Sequence, residues 1–451
     1  MDLDLATLTL SSALRALAAG EFTPAQLSAA CRERIERLNP QLRAFITICP
    51  PAEPTGSGPL AGIPIAVKDL FETAGILTTA GSLFFRDYVP PEDAPVVRSL
   101  KSAGAEIVGK TNLHEIALGV TNVNPHFGAC RNPWDPACVS GGSSGGSAVA
   151  VATGMCLGAL GTDTGGSIRI PAALCGVVGL KPTTGRVSLR GVIPLSWNLD
   201  HAGPLARSVE DAARLYQVIA GYDPSDPASV DASIEDALAH LDDGVTGWRV
   251  ALAVGEYFED LDGEVEAVVG QAAQVFTQLG AAVEKVDLSF LRQAALANTQ
   301  MTQADGAAYH RQRLAESPDG FGEDVRARLE AGRALTSGEY AMARHTQAEL
   351  RRRMTDFFAG YDVILTPTTP VAAPLIEGND ALVQARRLTR FTAPFNLTGL
   401  PALSLPCGQT SAGLPFGLQI AGRPWGEAGV LRAGRAYEKA VAPDGWKFPD
   451  I

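Results

Sequence analysis

The sequence predicts an α/β protein, with a mainly parallel or mixed, twisted sheet flanked by helices on both faces. Three observations lead there. The chain has 451 residues, 46% of them hydrophobic, which is enough to bury a large core. Apolar runs of strand length recur along it, and between several of them apolar residues fall at helical spacing. No internal repeat is present, so the alternation reads as strands joined through helices, the pattern of a sheet covered on both sides.

The first element is a helix: Thr23 is its cap, Pro24 its first residue and Gln26 closes the capping box, while Leu27, Cys31, Ile35 and Leu38 share one face. Residues 51–59, rich in Pro, Gly and Ser, form a loop. A short apolar strand follows at 63–67 and ends on Lys68 and Asp69. Further strands are expected at 106–108, 177–180, 249–254, 282–286, 363–365 and 403–405, with helices at 209–220 behind Ser208 and at 263–278. Residues 222–247 are acidic, poor in large apolar side chains and loop-rich. Residues 290–388 turn helical and polar, and are expected to form a substrate-facing layer over the sheet.

Composition removes several classes of function. The net charge is −12 and no Lys/Arg run of phosphate-binding length occurs, which argues against nucleic acid as a partner. The N-terminus lacks a positive signal-peptide region, and the longest apolar stretch, residues 148–160, is shorter than the roughly 18 residues of a membrane span. A cytoplasmic protein is expected. Seven scattered cysteines give no disulfide framework, and His126, Cys130 and Cys138 lack the paired spacing of a metal site. No metal and no cofactor is implied.

Two glycine-serine blocks, residues 141–147 and 161–169, stand out. Glycine costs stability inside regular elements, and its clustering around serines suits a place where backbone amides and hydroxyls approach a reacting group. Residues 104–111 satisfy the Walker A pattern, but a helical run precedes them and Glu106-Ile-Val is strand-like, the wrong context for a phosphate loop. Residues 141–145 match Gly-x-Ser-x-Gly, yet none of His201, His240, His310 and His345 stands in a distinctive motif to complete a Ser-His-Asp triad.

A constellation without histidine remains: Lys68 at a strand end, Ser143 in the first block and Ser167 in the second. With these residues, the run 60–213 resembles the amidase signature family, and the likeness extends to 399–408 and 414–420. The resemblance implies a single α/β/α domain over residues 1–451, with 60–213 as its signature core, and a Ser-cisSer-Lys triad hydrolysing amides. Carried over by position, Ser167 is the nucleophile, Ser143 the bridging serine behind a cis peptide with Gly142, and Lys68 the base. The chemistry accounts for the residue types. A buried lysine loses its proton easily enough to serve as base, and a hydroxyl that donates and accepts can relay a proton. Backbone N–H groups of Thr164, Gly165, Gly166 and Ser167 supply an oxyanion hole, with Asp163 and Arg169 holding the loop in shape. Ser144, Thr162 and Thr183 are expected to be supporting or structural, and Cys156 and Cys175 small buried residues.

The substrate is expected to be a small aryl or aliphatic amide, attacked through an acyl-enzyme, with esters and carbamates (urethanes) as further substrates. Thr121, Phe127 and Trp197 are the expected substrate contacts, drawn from 121–127 and 194–197. One branch of the family is the glutaminase subunit of tRNA-dependent amidotransferases. This chain departs from it at His114, where an acidic residue is usual, at Ile170, where glutamine is usual, and in the run 197–201, and it stops soon after Ala440. A free-standing hydrolase is therefore expected, with the glutaminase subunit and an allophanate- or biuret-type hydrolase as alternatives. Water and the small molecule are its expected partners. A homodimer would be unsurprising at this size.

Overall fold

The computed structural model describes residues 3–51, 58–378, 380–449 and 451. Of the expected loop at 51–59, residues 52–57 lie outside the described residues, as do the first two residues of the chain. Eleven strands are formed: β1 Phe45–Ile48, β2 Pro64–Lys68, β3 Glu106–Thr111, β4 Gly158–Thr162, β5 Val178–Lys181, β6 Ala202–Ala206, β7 Arg249–Val254, β8 Ala282–Asp287, β9 Val363–Pro367, β10 Ala402–Gln409 and β11 Pro415–Gly422. They make one mixed sheet in the order β1-β3-β2-β4-β6-β5-β10-β11-β9-β7-β8. β2 runs parallel to β3 and β4, and β7 parallel to β8 and β9, while β4, β6, β5, β10 and β11 pair antiparallel along the middle.

Alternate residues of the strands feed different cores, as the two-residue period requires. Ile65 and Val67 of β2, Val363 and Leu365 of β9, and Leu403 and Leu405 of β10 join one core. It includes helices Pro95–Ser102, Val209–Ile219, Gly263–Gln278 and Glu427–Val441. Their neighbours point the other way: Ala66 packs with helices Gly145–Ala152 and Arg169–Cys175, and Ile364 and Ala402 with Phe391 and Phe395. The sheet is thus covered on both faces in a single domain. The capping box forms as expected, Thr23 Oγ1 accepting from the Gln26 N–H at 3.2 Å and Gln26 Oε1 from the Thr23 N–H at 2.8 Å. Ser208 likewise caps its helix.

Four strands form beyond those expected from sequence: β1, β4, β6 and β11. β4 (Gly-Ala-Leu-Gly-Thr) and β6 (Ala-Gly-Pro-Leu-Ala) are poor strand formers by composition, and tertiary packing overrides propensity there. Small residues are needed because neighbours come close: a Cβ on Gly203 would sit 2.2 Å from the Leu180 carbonyl oxygen. The Walker-like segment is β3, fully buried in the sheet, and its Lys110 is enclosed rather than presented to a phosphate. Residues 222–247 carry turns without helix or strand, and 290–388 form helices Arg292–Tyr309, Arg311–Glu316, Glu323–Ala334, Ser337–Phe357 and Ala381–Leu388, interrupted by β9. Among the described residues no helix is long and apolar enough to cross a membrane.

Candidate active site

β2 ends where its neighbour β4 runs into the second glycine block, so the strand delivers Lys68 to the buried edge of that loop. Parallel pairing puts Val67 opposite Leu160, one residue from the end of β2 and two from the end of β4. Lys68 is fully buried, with Nζ 2.7 Å from Ser143 Oγ and 2.6 Å from Thr162 Oγ1. Burial pushes its ammonium from 10.5 down to about 7, against the opposing pull of Asp200 and Asp163. Burial thereby favours the uncharged amine of Lys68.

The first block turns sharply into helix Gly145–Ala152. Gly141 has φ 75°, and the Gly142–Ser143 peptide is cis. A Cβ on Gly142 would lie 3.0 Å from the Asn122 nitrogen, so the turn is packed against residues 120–122. The Ser143 carbonyl accepts from the His114 N–H at 3.2 Å. Ser144 ties the two blocks together: its N–H donates to the Ser167 carbonyl at 3.1 Å, and its hydroxyl donates to the Thr162 carbonyl at 3.1 Å.

In the second block Asp163 and Arg169 are both fully buried and paired in bidentate fashion, Nε to Oδ2 and Nη2 to Oδ1, each at 2.9 Å. Burial alone would raise the Asp163 carboxyl, but the Arg169 charge and hydrogen bonds hold it well below the usual carboxylate range. Arg169 also donates to Thr392 O (3.0 Å), Gln419 Oε1 (2.6 Å) and Asn396 Oδ1 (2.6 Å), while Asn396 Nδ2 donates to Asp163 Oδ1 at 2.7 Å. The pair thus anchors the loop to the segment before β10 and to β11, where Gln419 lies in the run 414–420.

The backbone donors of the loop divide. Gly166 gives its N–H to Asp163 Oδ1 at 2.7 Å and does not line the cavity beside the block. Its φ is 138°, and a Cβ there would collide with Thr392 Oγ1 at 2.2 Å, so glycine serves the turn rather than offering a donor. Thr164, Gly165 and Ser167 do line the cavity. Among the four residues expected as an oxyanion hole, Gly166 is therefore set apart by the carboxylate that takes its N–H.

The cavity holds about 340 Å³, at the low end for ligand pockets. Its walls come from Leu118–Val120, Leu195 and the helices carrying Asn298 and Thr302, Arg328, and Arg386. The expected substrate contacts do not meet here. Thr121 is turned inward, its hydroxyl 3.4 Å from His114 Nδ1, and Trp197 is 54% exposed against Tyr309. Phe127 is partly buried away from the lining. Leu118–Val120 and Leu195, just earlier in the chain, face the cavity instead.

Thr162, expected as a supporting or structural residue, touches Lys68 directly. Two residues with no role expected from sequence, Asp200 and Asn298, also contact the second block. Asp200 accepts from Thr164 Oγ1 (2.6 Å) and from the Leu195 and Ser196 N–H groups (2.8 and 3.0 Å), and burial raises its carboxyl to about 6. Asn298 Nδ2 donates to the Thr164 carbonyl at 3.1 Å. Asp200 stands in the run 197–201 and Asn298 in the helical layer 290–388, but neither carries a motif that marks its role. His201 is buried, its Nδ1 against the Asp163 and Leu199 carbonyls at 3.0 and 2.7 Å and its Nε2 against Thr184 at 2.9 Å, and burial lowers its pKa well below the usual range. It is a structural histidine. Cys156 and Cys175 are fully buried, and burial drives the Cys156 thiol up to about 12.

Comparison with known proteins gives the family and the fold. The chain is 42% identical over 97% of its length to the A-type subunit of a glutamyl-tRNA(Gln) amidotransferase from Myxococcus xanthus, of which it covers 98%. The solved structure of the corresponding amidotransferase subunit from Thermotoga maritima superposes with a TM-score of 0.90 at 36% identity, covering 100% of this chain and 99% of that one. The structure of 6-aminohexanoate cyclic dimer hydrolase gives a TM-score of 0.88 at 29% identity, with 99% of each chain covered. The Amidase family matches residues 26–431, and the chain belongs to that family.

Proposed function

We propose that this protein hydrolyses a small carboxamide through an acyl-enzyme. The observation that carries the reading is Lys68 Nζ, fully buried and 2.7 Å from Ser143 Oγ, with its pKa brought down to about 7. In its neutral form the amine donates to Thr162 and keeps its lone pair for the Ser143 proton. Ser167 Oγ attacks the amide carbon; its proton passes to Ser143 as the Ser143 proton passes to Lys68. The carbonyl oxygen takes the charge, stabilised by the N–H groups of Gly165 and Ser167, with Gly166 shaping the turn. The C–N bond then breaks, the leaving amine taking a proton back through Ser143, and water releases the acyl group by the reverse relay.

Two settings fit this chemistry. Kinship supports an amidotransferase subunit that frees ammonia from glutamine for a partner. The departures at His114, Ile170 and Trp197 weigh little against it, since none of the three lines the cavity. One observation favours a free-standing hydrolase instead: among the described residues no Asp or Glu lines the cavity to receive the α-ammonium of glutamine. Esters and carbamates would be attacked by the same groups. The decisive assay follows ammonia release from glutamine and other carboxamides, and p-nitroacetanilide cleavage, by the purified chain alone and with amidotransferase partner subunits. Wild-type protein turns over at least one amide, and Ser167→Ala lowers kcat by about 10³-fold or more. Turnover that survives Ser167→Ala sinks the assignment.

A further inference from the structure

The charge lining the cavity is one-sided. Arg328 and Arg386 line it, and no acidic side chain does among the described residues. Arg328 is already committed: it donates to the Leu118 carbonyl (2.6 Å), to Asp324 Oδ2 (2.8 Å) and to the Ala381 carbonyl (3.0 Å). Arg386 is not. It stands in the last turn of helix Ala381–Leu388, exposed, with no hydrogen-bond or ion-pair partner among the described residues. On the facing helix Arg292–Tyr309, Thr302 also lines the cavity, and its buried hydroxyl has no hydrogen-bond partner.

A free guanidinium and an unpartnered hydroxyl at one cavity match the two oxygens of a carboxylate. The guanidinium fork binds a carboxylate in bidentate fashion, and a buried hydroxyl without a partner is costly until a ligand satisfies it. The Arg328 charge is already met by Asp324. An ammonium in the same space would face the unpaired Arg386 guanidinium, with no anion from the described lining to offset it, a like-charge arrangement that disfavours binding. The catalytic end needs an amide and the layer end a carboxylate. A cavity of about 340 Å³ leaves room for a short chain between them.

We infer that the preferred substrate is an amide bearing a carboxylate and no ammonium, the monoamide of a small dicarboxylic acid, with Arg386 and Thr302 forming the carboxylate subsite. This rests on the amide-hydrolysis reading and narrows its acyl group. It predicts that the α-amino group of glutamine or asparagine is a hindrance here.

Binding separates the inference from the chemistry. Ser167→Ala protein is titrated calorimetrically with the monoamides of malonate, succinate and glutarate. Butyramide and glutamine serve as the uncharged and α-amino counterparts of the glutarate monoamide, propionamide and asparagine as those of the succinate monoamide. At least one monoamide binds about tenfold tighter than both counterparts. Adding Arg386→Met brings that advantage down to about twofold, and Arg386→Lys restores part of it, as a charge effect and not a packing effect would. The inference is overturned if glutamine or asparagine binds as tightly as its monoamide, if no monoamide binds, or if the preference survives Arg386→Met. Failure of the amide-hydrolysis reading is read separately, as absence of turnover of every carboxamide by wild-type protein.

Discussion

The glycine-serine core and the helical layer above it meet across one cavity and are built in opposite ways. In the core, Lys68, Ser143, Asp163 and Arg169 are fully buried and fixed by short polar contacts to strands on three sides. In the layer, Thr299, Leu382 and Arg386 are exposed, and Arg386 has no partner among the described residues. Reaction groups must hold their positions to a fraction of an ångström, so they are over-determined by burial. Side chains that choose among acyl groups need only present charge or shape to the space beyond. Substitutions in the core are expected to lower kcat for every amide, and those in the layer to change which amide is preferred.

The largest effect, short of removing the nucleophile, comes from Lys68, and a second buried lysine sharpens it. Lys110, on the neighbouring strand, is as buried as Lys68 but lies 3.3 Å from Asp69 Oδ1 and donates to the Phe71 carbonyl and Thr78 Oγ1, each at 2.6 Å. Lys68→Met is expected to cut kcat by about 10²- to 10⁴-fold, the usual worth of a positioned general base. Lys110→Met leaves the buried Asp69 carboxylate unpaired and lowers stability by about 3–5 kcal/mol, with kcat per folded molecule little changed. Thermal melting and active-site titration of both variants separate the two. Equal losses of kcat would dissolve the distinction between a reacting and a structural lysine.

The pH profile tests the same group. Lys68 must be neutral to accept a proton, so kcat/KM for an uncharged amide rises with pH and levels off above a pKa of about 7. Below that limb it falls about tenfold per pH unit. Asp200 pulls the Lys68 pKa upward, so removing its charge lets burial lower it further. Asp200→Asn, which can keep the contacts to Thr164, Leu195 and Ser196, shifts the limb toward acid. A limb that stays in place, or moves toward alkali, removes Asp200 from the electrostatics of the site.

The same contrast decided what could be read from sequence. The core was legible because its chemistry forces unusual residues into a short stretch: glycines where a Cβ would collide, as at Gly146 and Gly166, and serines beside them. The alternation of strands and helices was legible where strands are apolar runs, as in β2 and β7. It was not legible in β4 and β6, where close packing at the sheet centre demands Gly and Ala. In the layer, Asn298, Thr302 and Arg386 are ordinary residues of polar helices, and only the fold brings them to the cavity. Thr121, Phe127 and Trp197 lie near the lining residues Val120 and Leu195, and nothing in a linear sequence marks which residues of such a stretch face the cavity.

Asn298 belongs to the layer but reaches into the core, and so probes the boundary. Its side-chain amide donates to the Thr164 carbonyl, which fixes the plane of the Thr164–Gly165 peptide and thereby the aim of the Gly165 N–H. Removing an oxyanion donor costs on the order of 10²–10³ in kcat; loosening one should cost less, about tenfold. Asn298→Ala is expected to lower kcat by that amount for charged and uncharged amides alike, with KM little changed. A selective loss on one substrate class would move Asn298 into the substrate subsite.

The smallest effect is expected at Trp197, and it is informative for that reason. Its ring is 54% exposed and meets Tyr309 edge to face at a centroid distance of 6.2 Å, outside the cavity lining, while Leu195 two residues earlier lies inside it. Removing the ring forfeits an aromatic contact of about 0.5–1.5 kcal/mol, enough for a small drop in melting temperature. The Asp200 contacts that set the 195–196 backbone are untouched. Trp197→Ala is therefore expected to leave kcat and KM within about twofold of wild type, since exposed substitutions away from a site rarely exceed about 0.5 kcal/mol. A severalfold rise in KM for bulky anilides alone would show that substrates extend past Leu195 onto the outer surface, and the division between a closed core and a selective layer would need a third region at the cavity mouth.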